Sequence, residues 1–406
     1  MKETEGIKQP KHGSRWLNGT VIGVGLASLF GDWSYETATT VLPAFLASLG
    51  VAAAWLGLIE GVSDGLSSFA KMASGFYTDR LKRRKPIAVL GYLVTAVATA
   101  AMGLASAAWH ILAARSIAWL GRGVRAPVRK ALLAASVERT AYGRAFGLER
   151  MMDTIGAIVG PASALVLIRL TDSHFPTVFA WTLAPGLLAA AAFLFWVREK
   201  DRLPVSHVSF GESFRALPPK FRKYLVAVGI FGAGDFAHTM LILLAAQKLT
   251  PSLGVTGAAS LAAGFYLLHN AVYASSAFVS GWIADRADKR RILAGGYALA
   301  GVMALCVMTL PMLVWTLAIV FVMGGIYVGV EETLEDSLCA ELVEETRHGM
   351  AFGSLATVNG FGDFASSLML GLLWSSLGTT VAFGYSAVLF FAGAFLVARL
   401  DPALRK

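Results

Sequence analysis

Charge is scarce in this chain of 406 residues: 15 % of its residues are Asp, Glu, Lys or Arg, whereas 56 % are apolar. A water-soluble protein of this length needs a larger charged fraction to cover its surface, so the composition excludes an ordinary soluble protein. Only two cysteines are present, which excludes a disulfide framework and a Cys-rich metal site. The phosphate loop that a nucleotide-driven pump requires is also absent from the sequence.

The apolar residues gather in runs of about 20 or more, the length that a helix needs to cross the hydrocarbon core of a bilayer. The runs are rich in Ala, Leu and Gly and lack the ten-residue alternation of membrane barrels. They predict an all-α membrane protein with twelve transmembrane helices, numbered here as segments 1 to 12: 18–47, 55–78, 86–109, 111–134, 145–170, 177–198, 223–247, 256–283, 291–312, 314–340, 350–376 and 379–399.

Basic residues follow the even-numbered segments, whereas the connections after segments 1, 3, 9 and 11 carry no Lys or Arg. The positive-inside rule then predicts a protein of the cytoplasmic membrane with both termini in the cytoplasm. The net charge of +9 is explained by this placement and not by a nucleic-acid partner. The polar start of the chain has no apolar signal region, so we expect a cytoplasmic tail there. The predicted organisation is a tail (1–17), a six-helix half (18–198), a linker (199–222), a second half (223–400) and a tail (401–406).

A signature at the end of segment 2 recurs 206 residues later, at the end of segment 8. Its two copies are Gly75-x-x-x-Asp79-Arg80, followed by Arg83 and Arg84, and Gly281-x-x-x-Asp285-Arg286, followed by Arg290. Gly-Asp-aromatic triplets at Asp32 and Asp235 repeat at an offset of 203. A parallel repeat at half length predicts two homologous six-helix halves with a site between them.

These motifs resemble those of the major facilitator superfamily over essentially the whole chain. Segment 5 also carries Gly156-x-x-x-Gly160-Pro161, which is similar to the antiporter motif of that family's drug exporters. The resemblance implies a monomeric transporter that moves a small molecule by alternating access, with the proton gradient in place of a cofactor.

The signature itself suggests a gate. Gly75 and Gly281 permit close helix approach, while Asp79 and Asp285 can pair with cations or with the N-terminus of a neighbouring helix. Arg83 and Arg84 are expected to face water and anionic lipid. Segments 4 and 10 carry opposite charges at the same offset, which predicts salt bridges between the halves or with the signature loops in the outward-facing state. The matching positions are Arg125 with Glu331, Arg129 with Glu335, and Lys130 with Asp336.

Ionisable groups inside a membrane cost roughly 2.5–3.5 kcal/mol each, so each one needs a reason. Asp32 and Asp235 are the strongest candidates because they occupy matching positions of the two halves. The further candidates for substrate or proton binding are Trp33, Glu36, Asp64, Asp153, His238, Tyr266, Asn270 and Asp363. Structural alternatives stay open for some charges: Arg150 can simply bridge to Asp153, and Lys71 can neutralise Asp64 or extend to the membrane surface.

The leading hypothesis is proton-coupled export of a small organic molecule, with Asp32 and Glu36 carrying the proton or a cationic group of the substrate. The alternatives are proton-coupled uptake by symport and export of a divalent metal, for which Asp32, Asp235 and His238 would have to converge. A membrane-embedded enzyme is a remote alternative.

Overall fold

The computed structural model describes residues 16–50, 53–172, 174–199 and 210–400. The predicted tails fall largely outside this range, as do residues 200–209 of the predicted linker. Within it the chain is helical, without strands. The α-helices of the first half are α1 (Gly19–Ser48), α2 (Ala53–Thr78), α3 (Lys85–Ala101), α4 (Ala108–Ser136), α5 (Tyr142–Leu170), α6 (Phe175–Trp181) and α7 (Leu183–Trp196).

The remaining helices are α8 (Phe210–Arg215), α9 (Pro219–Gly232), α10 (Thr239–Ala284), α11 (Lys289–Thr309), α12 (Val314–Leu342), α13 (His348–Leu377) and α14 (Thr379–Ala398). Segments 1 to 5 correspond to α1 to α5, and segments 9 to 12 correspond to α11 to α14. Six stretches in the described chain are long and apolar enough to cross a membrane: 85–104, 139–170, 175–196, 289–309, 314–342 and 379–398.

Segments 6, 7 and 8 differ from the uniform helices that the sequence predicts. Segment 6 is divided into α6 and α7 at Thr182. Segment 7 begins as α9 and then loses its helical hydrogen bonds between Gly232 and Thr239 before it resumes as α10. The range of α10 holds the rest of segment 7 and all of segment 8 as two helices separated by a kink at Gly254, where φ is +69° and a left-handed backbone favours glycine.

The two halves repeat the same packing. In the first half α1 packs on α5, α2 on α4 and α3 on α7, and the equivalent pairs of the second half are α9 with α13, α10 with α12, and α11 with α14. The halves meet where α2 packs on α13 and where α5 packs on α10, with smaller contacts between α5 and α12 and between α4 and α13. The space between them is therefore bordered by α1, α2, α4 and α5 on one side and by α12 and α13 on the other.

The halves approach most closely at the end of the bundle that carries both signature loops, which we call the signature end. Backbone touches backbone there: a side chain at Gly75 would collide with the carbonyl of Gly349, and one at Gly143 with the carbonyl of Gly281. Small residues allow this contact because no Cβ separates the helices. The bundle is thus closed at the signature end.

Candidate functional site

A cavity of about 320 Å³ lies between the halves, above the closed signature end. Its charged lining residues come from six helices, and Phe352 closes it on the side of the signature end. The charged residues are Asp32, Lys71, Arg122, Arg125, Arg129, Lys130, Arg150, Asp153, Glu332, Glu335, Asp336 and Asp363. A cavity with six basic and six acidic side chains suits a polar ligand and not an apolar one.

The basic wall of the cavity comes mainly from α4. Arg122, Arg125 and Arg129 are spaced i, i+3 and i+7, so a helix places them on one face. Arg129 is held within the first half by Glu149 at 2.7 Å and by Asp153 at 3.7 Å. These ion pairs hold Arg129 in place and leave the charges of Arg122 and Arg125 outside them.

Arg122 and Arg125 have looser surroundings. The guanidinium of Arg122 lies 3.8 Å from the Asp32 carboxylate and 4.4 Å from the ring centroid of Tyr35, and its side chain is 32 % exposed. Arg125 instead stacks 4.0 Å from the ring centroid of Tyr92 and is buried. Arg122 is therefore the accessible member of the pair.

The acidic wall comes from α12 and α13. Glu335 accepts hydrogen bonds from Tyr297 and from the Asn359 amide, the latter at 2.6 Å. The Asp363 carboxylate is exposed to the cavity and has no basic side chain within 4.0 Å among the described residues. Glu335 is buried with both oxygens bonded, so Asp363 is the acid of this pair whose carboxylate is open to a ligand.

Two ion pairs tie the walls together. Lys130 Nζ lies 2.7 Å from the Asp336 carboxylate, as the charge exchange between segments 4 and 10 predicts. Arg150 lies 2.8 Å from the Glu332 carboxylate and also bridges to Asp153 at 3.0 Å. Both pairs join the halves on the signature side of the cavity, so they must separate if that side opens.

The predicted pair of Arg125 and Glu331 is absent. Glu331 is buried within the second half on α12, but no described basic side chain lies within 4.0 Å of it, and Arg125 is turned toward Tyr92 on α3. The offset of 206 residues therefore identifies equivalent helices, α4 and α12. The side chains at equivalent positions of these helices nevertheless point in different directions. Arg129 likewise pairs with Glu149 and not with Glu335.

Both signature carboxylates cap a helix of the other half. Asp79 accepts the backbone N–H groups of Gly349 at 3.0 Å and Met350 at 2.7 Å, at the start of α13. Asp285 accepts the backbone N–H groups of Gly143 at 2.7 Å and Arg144 at 3.1 Å, at the start of α5. A carboxylate at a helix N-terminus is favoured both by its hydrogen bonds and by the helix dipole.

The signature arginines do not all face water. Arg83 is exposed as expected, but Arg84 is buried 3.5 Å from Asp79, where it supports the cap. Arg80 and Arg286 lie over aromatic rings, those of Phe76 and Trp282 respectively. Arg290 binds Asp288 and the carbonyl of Leu400.

Of the ten predicted binding residues, Asp32, Asp153 and Asp363 line the cavity. Of the other three first-half candidates, Trp33 donates its indole N–H to Ser163 at 2.8 Å, and Asp64 accepts the indole N–H of Trp119 at 2.7 Å. The Cβ of Glu36 lies against Gly160, and its carboxylate interacts electrostatically with Asp32, Arg122 and Asp153, which line the cavity.

The second-half candidates form a separate group. Asp235 lies in the break between α9 and α10, not in the middle of a helix, because Gly232 and Gly234 disfavour the helix and Asp competes for backbone hydrogen bonds. Its carboxylate accepts the Tyr327 hydroxyl at 3.0 Å.

His238, Tyr266 and Asn270 lie beyond the cavity lining as well. The His238 ring is 4.6 Å from the ring of His269, which in turn stacks on Tyr266. Among the described residues, no group of three His, Cys, Asp or Glu side chains is arranged to hold a metal ion. The convergence that metal export requires is therefore not present in this state.

Gly160 and Pro161 act within the first half. Gly156 and Gly160 bring α5 against α1, where a side chain at either position would meet the backbone of α1. The antiporter-like motif thus fixes the helix that carries Asp32 against the helix that carries Asp153.

Sequence reasoning did not name Arg122 or Glu332 as candidates, and it assigned the other charges of α4 and α12 to salt bridges between the halves and not to the lining of a ligand cavity. Residues 122–130 lie inside α4. Their helical spacing and the acidic residues at the matching positions of segment 10 were the available signal. Gly61-x-Ser63-x-Gly65 matches a hydrolase elbow pattern, but it lies within continuous α2 and not at a turn from a strand to a helix.

Comparison with known proteins agrees with this architecture. The family model described as Major Facilitator Superfamily matches residues 24–330 and 224–406. An MFS-type transporter of Methanocaldococcus jannaschii, itself uncharacterised, is 25 % identical over 97 % of this chain and 98 % of its own length. The multidrug resistance protein MdtH of Shigella boydii is 25 % identical over 74 % of this chain and 73 % of its own length.

Solved structures show the same fold. The fucose transporter FucP in its outward conformation superposes with a TM-score of 0.74 at 16 % identity, covering 94 % of this chain and 99 % of FucP. The human organic anion transporter MFSD10 gives a TM-score of 0.73 at 16 % identity, covering 93 % of this chain and 99 % of that protein. The chain is an integral membrane transporter, not an enzyme, and it belongs to the Major Facilitator Superfamily.

Proposed function

We propose that this protein is a secondary active exporter that exchanges a small polar molecule for protons across the cytoplasmic membrane. The observation that carries the proposal is the charged cavity between the halves, which is closed at one end by interactions that can be separated. The similarity to a multidrug resistance protein favours export, as does the antiporter-like motif of α5.

The closed end defines one state of an alternating-access cycle. The positive-inside rule places the signature end in the cytoplasm, so the present state is closed to the cytoplasm. Opening to the cytoplasm would break both carboxylate caps, the ion pairs of Lys130 and Arg150 with α12, and the ion pair between Arg144 and Asp285. Because each of these contacts is polar, water can replace it when the helices part.

Proton coupling requires a carboxylate that alternates between charged and neutral forms. Arg122 lies 3.8 Å from the Asp32 carboxylate, whereas no described basic side chain lies within 4.0 Å of the Asp363 carboxylate. An uncompensated charge in the membrane interior is costly, so Asp363 is the carboxylate best placed to be neutralised by a proton. A cationic group of the substrate would neutralise it equally well, so that proton and substrate would compete for one site. This competition is what couples exchange.

The test uses inverted membrane vesicles from cells that overproduce the protein. Respiration acidifies the vesicle lumen and quenches the fluorescence of 9-amino-6-chloro-2-methoxyacridine, and an exchanged substrate releases protons and restores the fluorescence. We expect recovery with wild type for at least one compound of a panel of drugs, organic acids, amines and amino acids, and none with Asp363→Asn. Arg169→Gln, at an exposed position of the last turn of α5, is the matched control.

Other outcomes would overturn the proposal. Transport of a compound into right-side-out vesicles together with protons would establish symport instead. Transport that ignores the pH gradient in wild type would refute proton coupling, and unchanged proton exchange in Asp363→Asn would refute the role of that residue.

A further inference from the structure

The charges of the cavity are segregated by half. The first half contributes six basic and two acidic side chains to the lining, and the second half contributes four acidic ones and, in the described chain, no basic one. The walls therefore carry formal charges of +4 and −4, while the cavity as a whole is neutral. A ligand that spans it meets a positive wall on one side and a negative wall on the other.

Most of these charges are already used. Lys130 with Asp336, Arg150 with Glu332, and Arg129 with Glu149 approach within 2.9 Å of each other. These pairs fix the geometry of the cavity at its signature side. A ligand would bind the charges that remain, because displacing a formed ion pair costs the energy of that pair.

The remaining charges again divide by half. On the first-half side, Arg122 is 32 % exposed and only loosely paired, and Lys71 has no described acidic side chain within 4.0 Å. On the second-half side, Asp363 is exposed and has no described basic side chain within 4.0 Å, with Lys71 as its electrostatic neighbour. Glu335 is buried and bound by the neutral donors Tyr297 and Asn359, so it adds negative charge to this wall without an open oxygen. Two cations thus face the Asp363 carboxylate with no ion pair within 4.0 Å between them.

From this arrangement we infer that the substrate is a small zwitterion. Its anionic group would bind Arg122 and Lys71, and its cationic group would bind Asp363. The inference rests on the proposed function and names its substrate class. A purely cationic ligand would leave the two basic side chains uncompensated in the membrane interior, and a purely anionic ligand would leave the two acids uncompensated.

The size of the cavity agrees with a small ligand. Its volume of about 320 Å³ lies at the lower end of the roughly 300–1,000 Å³ typical of small-molecule sites. The guanidinium of Arg122 is suited to a carboxylate because its planar donors bind both carboxylate oxygens. An amino acid or a dipeptide has both the size and the charge separation that the two walls require.

The experiment compares each zwitterion with derivatives that lack one of its charges. Thermal unfolding of the purified protein in nanodiscs is measured with the L-amino acids that have uncharged side chains and with their glycyl dipeptides. For each stabilising compound, its methyl ester supplies the cation alone and its N-acetyl derivative supplies the anion alone. We expect at least one zwitterion to raise the melting temperature, with both derivatives about 30-fold weaker or worse, since loss of one buried charged contact typically costs 2 kcal/mol or more.

Two variants assign the ends of the ligand. In Asp363→Asn the free zwitterion should lose its advantage over the N-acetyl derivative, and in Arg122→Gln it should lose its advantage over the methyl ester. Arg169→Gln should behave as wild type. A stabilising compound whose single-charge derivative binds equally well would overturn the inference, as would a panel in which no zwitterion stabilises the protein.

The proposed function is tested separately. Proton exchange driven by a singly charged drug would support export while refuting the zwitterion. Zwitterion binding without proton exchange would support the zwitterion as ligand while refuting proton-coupled export.

Discussion

Removing the Asp79 carboxylate should open the signature end. In the closed state, Asp79 accepts two backbone N–H groups of α13 and lies 3.5 Å from the buried Arg84. Replacement of a helix cap by alanine costs about 0.5–2 kcal/mol, and loss of a partly buried charge at the helix N-terminus costs up to about 2 kcal/mol more. Asp79→Ala should therefore weaken closure by about 2–4 kcal/mol. That loss raises the open-to-closed ratio by about 30-fold or more.

Asp79→Asn removes the charge and one acceptor oxygen. Asparagine caps helices about as well as aspartate, but the two N–H groups of α13 bind different oxygens of Asp79, and asparagine keeps only one of them. We expect a cost of about 1 kcal/mol, which shifts the ratio about fivefold. The order wild type, Asn, Ala is thus the specific expectation.

The assay is a distance measurement by double electron–electron resonance. Spin labels on cysteines at Lys82 and Glu345, two exposed positions on opposite halves at the signature end, report its opening. The native Cys306 and Cys339 are replaced first. Wild type should show one short distance, and Asp79→Ala should show an additional longer one.

The exposed Glu344 supplies the control, because Glu344→Gln removes a carboxylate at the same end without touching the interface. An unchanged distance distribution in Asp79→Ala would refute the reasoning. Asp285→Ala, which removes the equivalent cap on α5, should open the same end to a similar extent.

The other predictions concern contacts between the halves. Lys130→Met should destabilise the protein by about 3–5 kcal/mol because it leaves the buried Asp336 without its closest partner, and the double variant with Asp336→Leu should be milder in thermal unfolding. Arg125→Gln and Glu331→Gln should instead act additively, within about 0.5 kcal/mol, because these residues form no pair. Gly143→Ala should prevent closure in the distance assay, because its methyl group would collide with the carbonyl of α10.

Controls for these variants come from the same chain. Gly61→Ala adds the same methyl group on α2 where nothing lies within 4 Å, so it should leave closure unchanged. Strictly additive losses for Lys130 and Asp336, or strong coupling between Arg125 and Glu331, would contradict the assignment of partners.

Much of the architecture is visible in the sequence. The lengths of the apolar runs predict the spans, and the offset of 206 residues predicts which positions are equivalent in the two halves. The cap-forming role of Asp79 and Asp285 is also among the possibilities that the sequence suggests, because a carboxylate at a helix end has few favourable partners. Lys130 and Asp336 were identified as a potential pair from their opposite charges alone.

The candidate site was less predictable. The sequence favours Asp32 because it repeats at Asp235, but of these two aspartates only Asp32 lines the cavity. The break after Gly232 removes Asp235 from the helix face that the repeat implies, and Trp33 turns toward Ser163 on α5. Repetition in a sequence preserves the fold of each half, whereas it does not require that the two copies keep the same contacts.

The sequence by itself determined that this protein spans a membrane as two equivalent halves, because hydrophobic length and internal repetition are properties of the chain that hold before it folds. It also placed Arg122, Arg125 and Arg129 on one helix face. Only the tertiary structure decided what that face opposes. The packing of separate helices decides which charges pair and which remain for a ligand. It also decides that positive and negative walls meet across one cavity. The local sequence around each residue does not determine that packing, because the residues in contact lie far apart in the chain.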